Sequence, residues 1–254
     1  LKPHFDLQLH NSSDSVAKLL LEFEGGLRKP PRGELLDAYR GEVEFMDREL
    51  GKLKKAVEAD GVPVLWVVVS DHGEGLYQRR RILAHAGFGL EHQLRILWLM
   101  NGPGVPAGPR LDDVPALIHD VGPTLIEVVG LPQLKDAEGI SLVGCWQRDE
   151  CPTTRSWLAH GVSPTLDRLT AIAAYDWPLK RLRQAPDLDG TYNLTEDPWE
   201  RTDLSHKPDL EGEMDRLEQL IEEASTELES QLGANRRQLS EDEREALRSL
   251  GYLD

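Results

Sequence analysis

Cysteine is nearly missing from this chain: Cys145 and Cys151 are the only two in 254 residues. That excludes a disulfide-scaffolded fold, and their spacing fits no zinc-finger pattern. It leaves them as ordinary thiols or as the two ends of a loop disulfide. No apolar run reaches the length of a membrane span. Internal repeats and long low-complexity tracts are also lacking. Positive charge is scarce, with 29 Lys+Arg against 45 Asp+Glu and a formal net charge of -16. Such a balance argues against wrapping nucleic acid or docking on anionic lipid. It suits a protein that gathers metal cations, and any anion site would need local positive charge. An initiating methionine is lacking too, because the chain opens at Leu1. A natural N-terminal segment is therefore expected upstream, and the lack of a targeting stretch carries no weight.

What is present suffices for one sizeable domain, alone or with a small appendage. Leu36, Tyr39, Val43, Met46, Leu50, Leu53 and Val57 recur at spacings of three and four, which predicts a helix with one apolar stripe. The stripe is expected to pack on a sheet. Asp60-Gly61 ends that helix, and 64–69 then reads as a strand buried on both faces, as in a parallel sheet. A second strand is expected over 94–100, and a short helix over 124–129 after Asp120-Val121-Gly122-Pro123. Beyond Gly139 the texture changes. Segments 155–159, 169–175 and 179–183 predict a small antiparallel sheet. A charged helix is expected over 211–232, and Ser240-Glu241-Asp242-Glu243 reads as the capping box of a last helix. The order of elements predicts an α/β class, with residues 1–140 forming the main unit and 141–254 a small antiparallel sheet with helices.

The chemistry concentrates after the most apolar strand, in Ser70-Asp71-His72-Gly73-Glu74. Ligands in open α/β sheets sit beyond the carboxyl ends of strands. A carboxylate and an imidazole placed there can both reach a metal ion, and Gly73 and Gly75 let the backbone turn sharply and approach a ligand closely. Glu91, His92 and His119 are read as structural or surface groups. Arg79-Arg80-Arg81 reads as a solvated charge run.

Several segments resemble, in order, the sulfatase family of the alkaline-phosphatase superfamily. Tyr39-Arg40-Gly41-Glu42-Val43 with Met46-Asp47 is similar to the helix before that family's metal strand. Val67-Val68-Val69-Ser70-Asp71-His72-Gly73-Glu74 resembles its metal-binding signature. Ala84-His85 through Leu94-Arg95, Asp120-Val121-Gly122-Pro123-Thr124-Leu125, the run from Tyr192 to Leu204 and the closing Leu250-Gly251-Tyr252 resemble later family segments. The resemblance implies the later part of an alkaline-phosphatase-like mixed or parallel sheet sandwiched by helices, then a small antiparallel C-terminal subdomain. It implies Asp71 and His72 as ligands of a divalent cation. Calcium is expected by resemblance, with manganese or zinc as the alternatives that an imidazole ligand raises. It assigns His85 to the sulfate oxygens, where an imidazole can steady an oxyanion. His4, in Lys2-Pro3-His4, takes the place of a histidine that contacts the ester, although Lys2 stands where an aspartate is usual.

The implied activity is hydrolysis of a small-molecule or glycan sulfate monoester. Its nucleophile, a formylglycine or serine, and two further metal-binding aspartates lie in the family upstream of the segment this chain resembles. The isolated chain is therefore expected to be inactive. Cys151-Pro152-Thr153-Thr154-Arg155 mimics the nucleophile motif, but Pro152 is one position early and Cys151 follows the metal strand instead of preceding it. The alternatives are a phosphonate monoester or phosphodiester hydrolase of the same superfamily, and a non-catalytic binding module. By resemblance a periplasmic or secreted location is expected.

Overall fold

The computed structural model describes residues 31–79, 83–84, 89–108, 111, 114–163, 168–184, 188–234 and 240–241. The expected helical stretch near residue 20 and all but the start of the last helix lie outside them.

Helix α1, Arg32–Val57, starts after Pro31, whose extended backbone sets the entry. Glu34 in its first turn and Lys54 and Lys55 in its last complement the helix dipole. Gly61, at φ +69, takes the left-handed conformation that ends the following 3₁₀ turn. Only Leu35 of this helix is fully buried, beside Leu76 and Tyr77. The apolar stripe is present, but Val43 and Met46 are 53% and 62% exposed. Among the described residues the stripe therefore meets a strand only at its start, where Leu36 packs beside Leu76 and Tyr77.

Strand β1, Trp66–Val69, is shorter than expected and half-buried throughout. Two short strands follow, β2, Gly75–Leu76, and β3, Leu83–Ala84, paired with each other. One helical turn, α2, Glu91–Leu94, occupies the start of the segment predicted as strand, so β4 spans only Trp98–Asn101. Strands β1 and β4 run antiparallel, Trp66 opposite Asn101 and Val69 opposite Trp98. The α/β class holds, but this pair is antiparallel where the apolar run 64–69 predicted a parallel neighbour. Ser70 extends the pairing: its N–H donates to Leu97 O (3.0 Å), and its Oγ accepts from Leu97 N–H (2.8 Å).

Helix α3, Val121–Val128, is followed by the short α4, Val143–Gln147. Buried Thr124 ties them, its Oγ1 accepting from Leu142 N–H at 3.0 Å. Strands β5, Ser156–Ser163; β6, Arg168–Asp176; β7, Leu179–Gln184; and β8, Gly190–Asn193, form an antiparallel meander in that order. The alternation of side chains gives this sheet two buried faces. Ala171, Ala173, Tyr175, Leu182 and Tyr192 pack against Leu90 on one face. Ile172 and Ala174 pack on the other against Leu217 and Ile221 of α5, Glu211–Ala234. Arg181 and Arg183 face α5 and pair with Glu218. No helix among the described residues is long and apolar enough to cross a membrane.

Candidate functional site

The loop 70–74 leaves the C-terminal end of β1. Asp71 Oδ1 accepts the His72 N–H at 3.0 Å, and its side chain is 79% exposed. His72 Nδ1 lies 2.7 Å from Gly73 O, so Nδ1 carries the proton and donates. Nε2 sits 3.6 Å from Asp71 Oδ1, and in the neutral ring it carries the lone pair. Two electron-pair donors thus converge at the mouth of the strand. This is the tautomer and the type of second contact that metal-binding imidazoles use. Among the described residues no group of three or more carboxylates, imidazoles or thiolates is placed to hold a metal ion. The two donors alone do not make up such a group.

Close packing fixes the loop from behind. Gly73 N–H donates to Gln93 O at 2.7 Å. A Cβ on Gly73 would lie 2.4 Å from His92 O and 2.8 Å from Arg95 O, so only glycine allows this approach. The turn α2 is in turn gripped by the C-terminal sheet. Lys180, fully buried on β7, donates to Gly89 O (2.6 Å) and to Glu91 Oε1 (3.0 Å), and its Nζ lies 2.7 Å from Glu200 Oε1. Tyr175 donates its hydroxyl proton to Glu91 Oε1 (2.7 Å), and Glu91 N–H donates to Glu200 Oε2 (3.0 Å). Burial alone would raise the Glu91 carboxyl, but Lys180 and Tyr175 hold it below its usual value. Burial, with Glu91 beside it, pushes the Tyr175 phenol well up. His92 is pushed down to about 4 by burial and by Lys180 and Arg79, and is neutral at pH 7.

Arg79 corrects the reading of 79–81 as a solvated run. Its side chain is only 13% exposed. It donates to Tyr192 OH (2.8 Å), lies 5.0 Å over that ring and approaches Glu200 Oε2 at 3.8 Å. Arg80 and Arg81 lie outside the described residues, as do His4 and His85. Glu91 is structural, as read, and His119 is exposed. Cys151 is bonded to Cys145, which resolves the pair in favour of the loop disulfide and removes Cys151 as a thiol nucleophile.

A second buried cluster ties Arg155, just before β5, to Asp120, just before α3. Asp120, fully buried, accepts from Leu117 N–H (2.7 Å), Ile140 N–H (2.8 Å) and both terminal nitrogens of Arg155, one at 2.9 Å. Sequence reasoning missed Lys180, Glu200 and Arg155.

No protein-family model matches the chain. It is 31% identical over 122 residues to a sulfatase of Formosa agariphila, covering 46% of this chain and 23% of that protein. It is 30% identical over 137 residues to human arylsulfatase D, covering 48% and 23%. Two solved structures share the fold. One, crystallised with its substrate D-glucosamine-2-N,6-O-disulfate, has a TM-score of 0.57 at 19% identity, covering 87% of this chain and 47% of that one. The other, the phosphonate monoester hydrolase of Agrobacterium radiobacter, has a TM-score of 0.56 at 20% identity, covering 79% and 42%. The chain spans less than a quarter of the length of these curated relatives and under half of these solved chains.

Proposed function

We propose that this chain, a C-terminal portion of the sulfatase family in the alkaline-phosphatase superfamily, supplies two metal ligands to a sulfuric ester hydrolase. The observation that carries the reading is the convergence of Asp71 Oδ1 and the His72 Nε2 lone pair at the end of β1. Asp71 and His72 would hold a divalent cation, calcium by family expectation and manganese or zinc by the imidazole's preference. Such a cation neutralises sulfate charge and lowers the pKa of a bound nucleophile. The chain's own part is to orient. Gly73 seats the loop on α2, and the hydrogen bond from Nδ1 to Gly73 O fixes the His72 tautomer. His85 is assigned to the sulfate oxygens and His4 to the ester oxygen, where an imidazole N–H can donate as charge develops. The nucleophile is assigned to a segment outside this chain, and the 254-residue chain alone is inactive in this reading. The substrate is a sulfate monoester of a small molecule or glycan, consistent with a fold neighbour that binds a sulfated glucosamine. The Cys145–Cys151 bond fits an oxidising compartment, periplasmic or extracellular.

The likeness to a phosphonate monoester hydrolase supports a second reading, cleavage of phosphonate monoesters or phosphodiesters. Turnover of an aryl sulfate and an aryl phosphodiester by the protein with its upstream segment separates the two. The expected result is preference for the sulfate, lost in Asp71→Asn together with bound metal measured by elemental analysis. Preference for the phosphodiester would replace the substrate class, and full metal occupancy in Asp71→Asn would remove the ligand assignment.

A further inference from the structure

We infer that Lys180, on the C-terminal sheet, is a positioning residue for the Asp71–His72 loop. This rests on the metal-site reading above and deepens it. The physical path is short and made of direct contacts. Lys180 bridges the carboxylates of Glu91 and Glu200 and holds Gly89 O. Glu200 holds the Glu91 backbone N–H. Two residues on, Gln93 O receives the Gly73 N–H, and His92 O and Arg95 O crowd the Gly73 Cα. Gly73 O in turn accepts the hydrogen bond of His72 Nδ1–H.

Charge balance explains why Lys180 matters. Buried Lys180 and the partly buried Arg79 face two buried carboxylates, Glu91 and Glu200. Without Lys180 the two carboxylates repel each other across a low-dielectric interior, and the Glu91 backbone bond to Glu200 is pushed apart. The displacement falls on α2, the seat of Gly73. The small sheet is then part of the cation site's support, the kind of outer contact that orients a ligand.

The test is amide hydrogen exchange of the 254-residue chain, read residue by residue without metal. In Lys180→Met the Gly73 amide is expected to exchange at least about tenfold faster, while the amides of Ile172 and Ala174 in β6 keep their protection. Tyr175→Phe deletes only the hydroxyl on Glu91 and is expected to raise Gly73 exchange in the same direction, by about threefold. It decides the matter if Lys180→Met does not fold. Unchanged Gly73 exchange in Tyr175→Phe and in any folded Lys180→Met overturns the inference. So does a uniform loss of protection across β6 and Gly73, which would mark general destabilisation. Because no metal is present, the coupling can fail while Asp71 and His72 remain ligands, and the reverse.

Discussion

Substituting Asp120 by asparagine is a severe test of the buried cluster that it forms with Arg155. The side chain is fully buried, and all four of its partners are donors: the N–H groups of Leu117 and Ile140, and two nitrogens of Arg155. A carboxylate accepts from all four, whereas asparagine keeps one acceptor oxygen and presents an NH₂ group in place of the other. Whichever way the amide turns, its NH₂ faces one backbone N–H and one guanidinium N–H. One buried backbone donor is left unmet, at about 1–3 kcal/mol. The Arg155 charge, 14% exposed, also loses its counter-ion, and breaking a buried pair from one side costs about 3–5 kcal/mol. These terms overlap, so the expected loss is about 3–5 kcal/mol in total, a large share of an ordinary domain's stability. Urea unfolding of the 254-residue chain, followed by far-UV circular dichroism and tryptophan fluorescence, measures it. The Asp120→Ala/Arg155→Met double variant should be less damaging than the sum of its singles, because they share one interaction. A loss under about 1 kcal/mol for Asp120→Asn would show that the pair behaves as an exposed one.

Gly73→Ala places a methyl group against two backbone oxygens that cannot swing aside, so it should cost about 1–3 kcal/mol in urea unfolding and displace the loop. An unchanged midpoint would mean the loop is not seated on α2. His92 is held near 4 against an ordinary 6.5, so the unfolded chain takes up its proton first as the solution is acidified. The stabilisation is fully present above 6.5 and is lost as pH falls through about 4; His92→Gln should flatten the urea midpoint between pH 6.5 and 4.5. Parallel profiles for the two proteins would refute that assignment. The Glu91 contribution is lost only at lower pH, below its ordinary 4.5, because its carboxyl is held down. Removing the Cys145–Cys151 bond by a double serine substitution should lower stability by about 2 kcal/mol, the loop-closure value for so short a ring. Reductant should then shift the wild-type midpoint but not the variant's.

The elements most legible in the sequence were those with a clean period. The stripe from Leu36 to Val57 marked α1 by its period alone, and the segments set between turn residues marked β5 to β7, whose sheet faces a core on both sides. Strand β8 was read only as a motif, since four residues are too few to display alternation. The stretch 94–100 misled because apolar residues continue across a change of conformation. Leu90 O accepts from the N–H groups of Gln93 and Leu94, closing a helical turn before the strand begins. Asp71 and His72 stood out by position after an apolar strand. Their support did not, because Lys180 meets Glu91 across 89 residues of sequence and Arg79 meets Tyr192 across 113. A basic strand such as Leu179–Gln184 looks solvent-facing until its partners are known.

The open face of α1 has a consequence for how the purified chain behaves in solution. Tyr39, Val43, Met46, Leu53 and Val57 line one side of a long helix and are all well exposed, as are Leu97 and Leu99 near and on β4. A charge of -16 keeps such molecules apart when salt is low. Raising the ionic strength from about 0.01 M to 0.15 M shortens the screening length from about 30 Å to about 8 Å, so the repulsion fades while the apolar attraction does not. Light scattering that rises with added salt, at constant helix content, is the colloidal signature of that face.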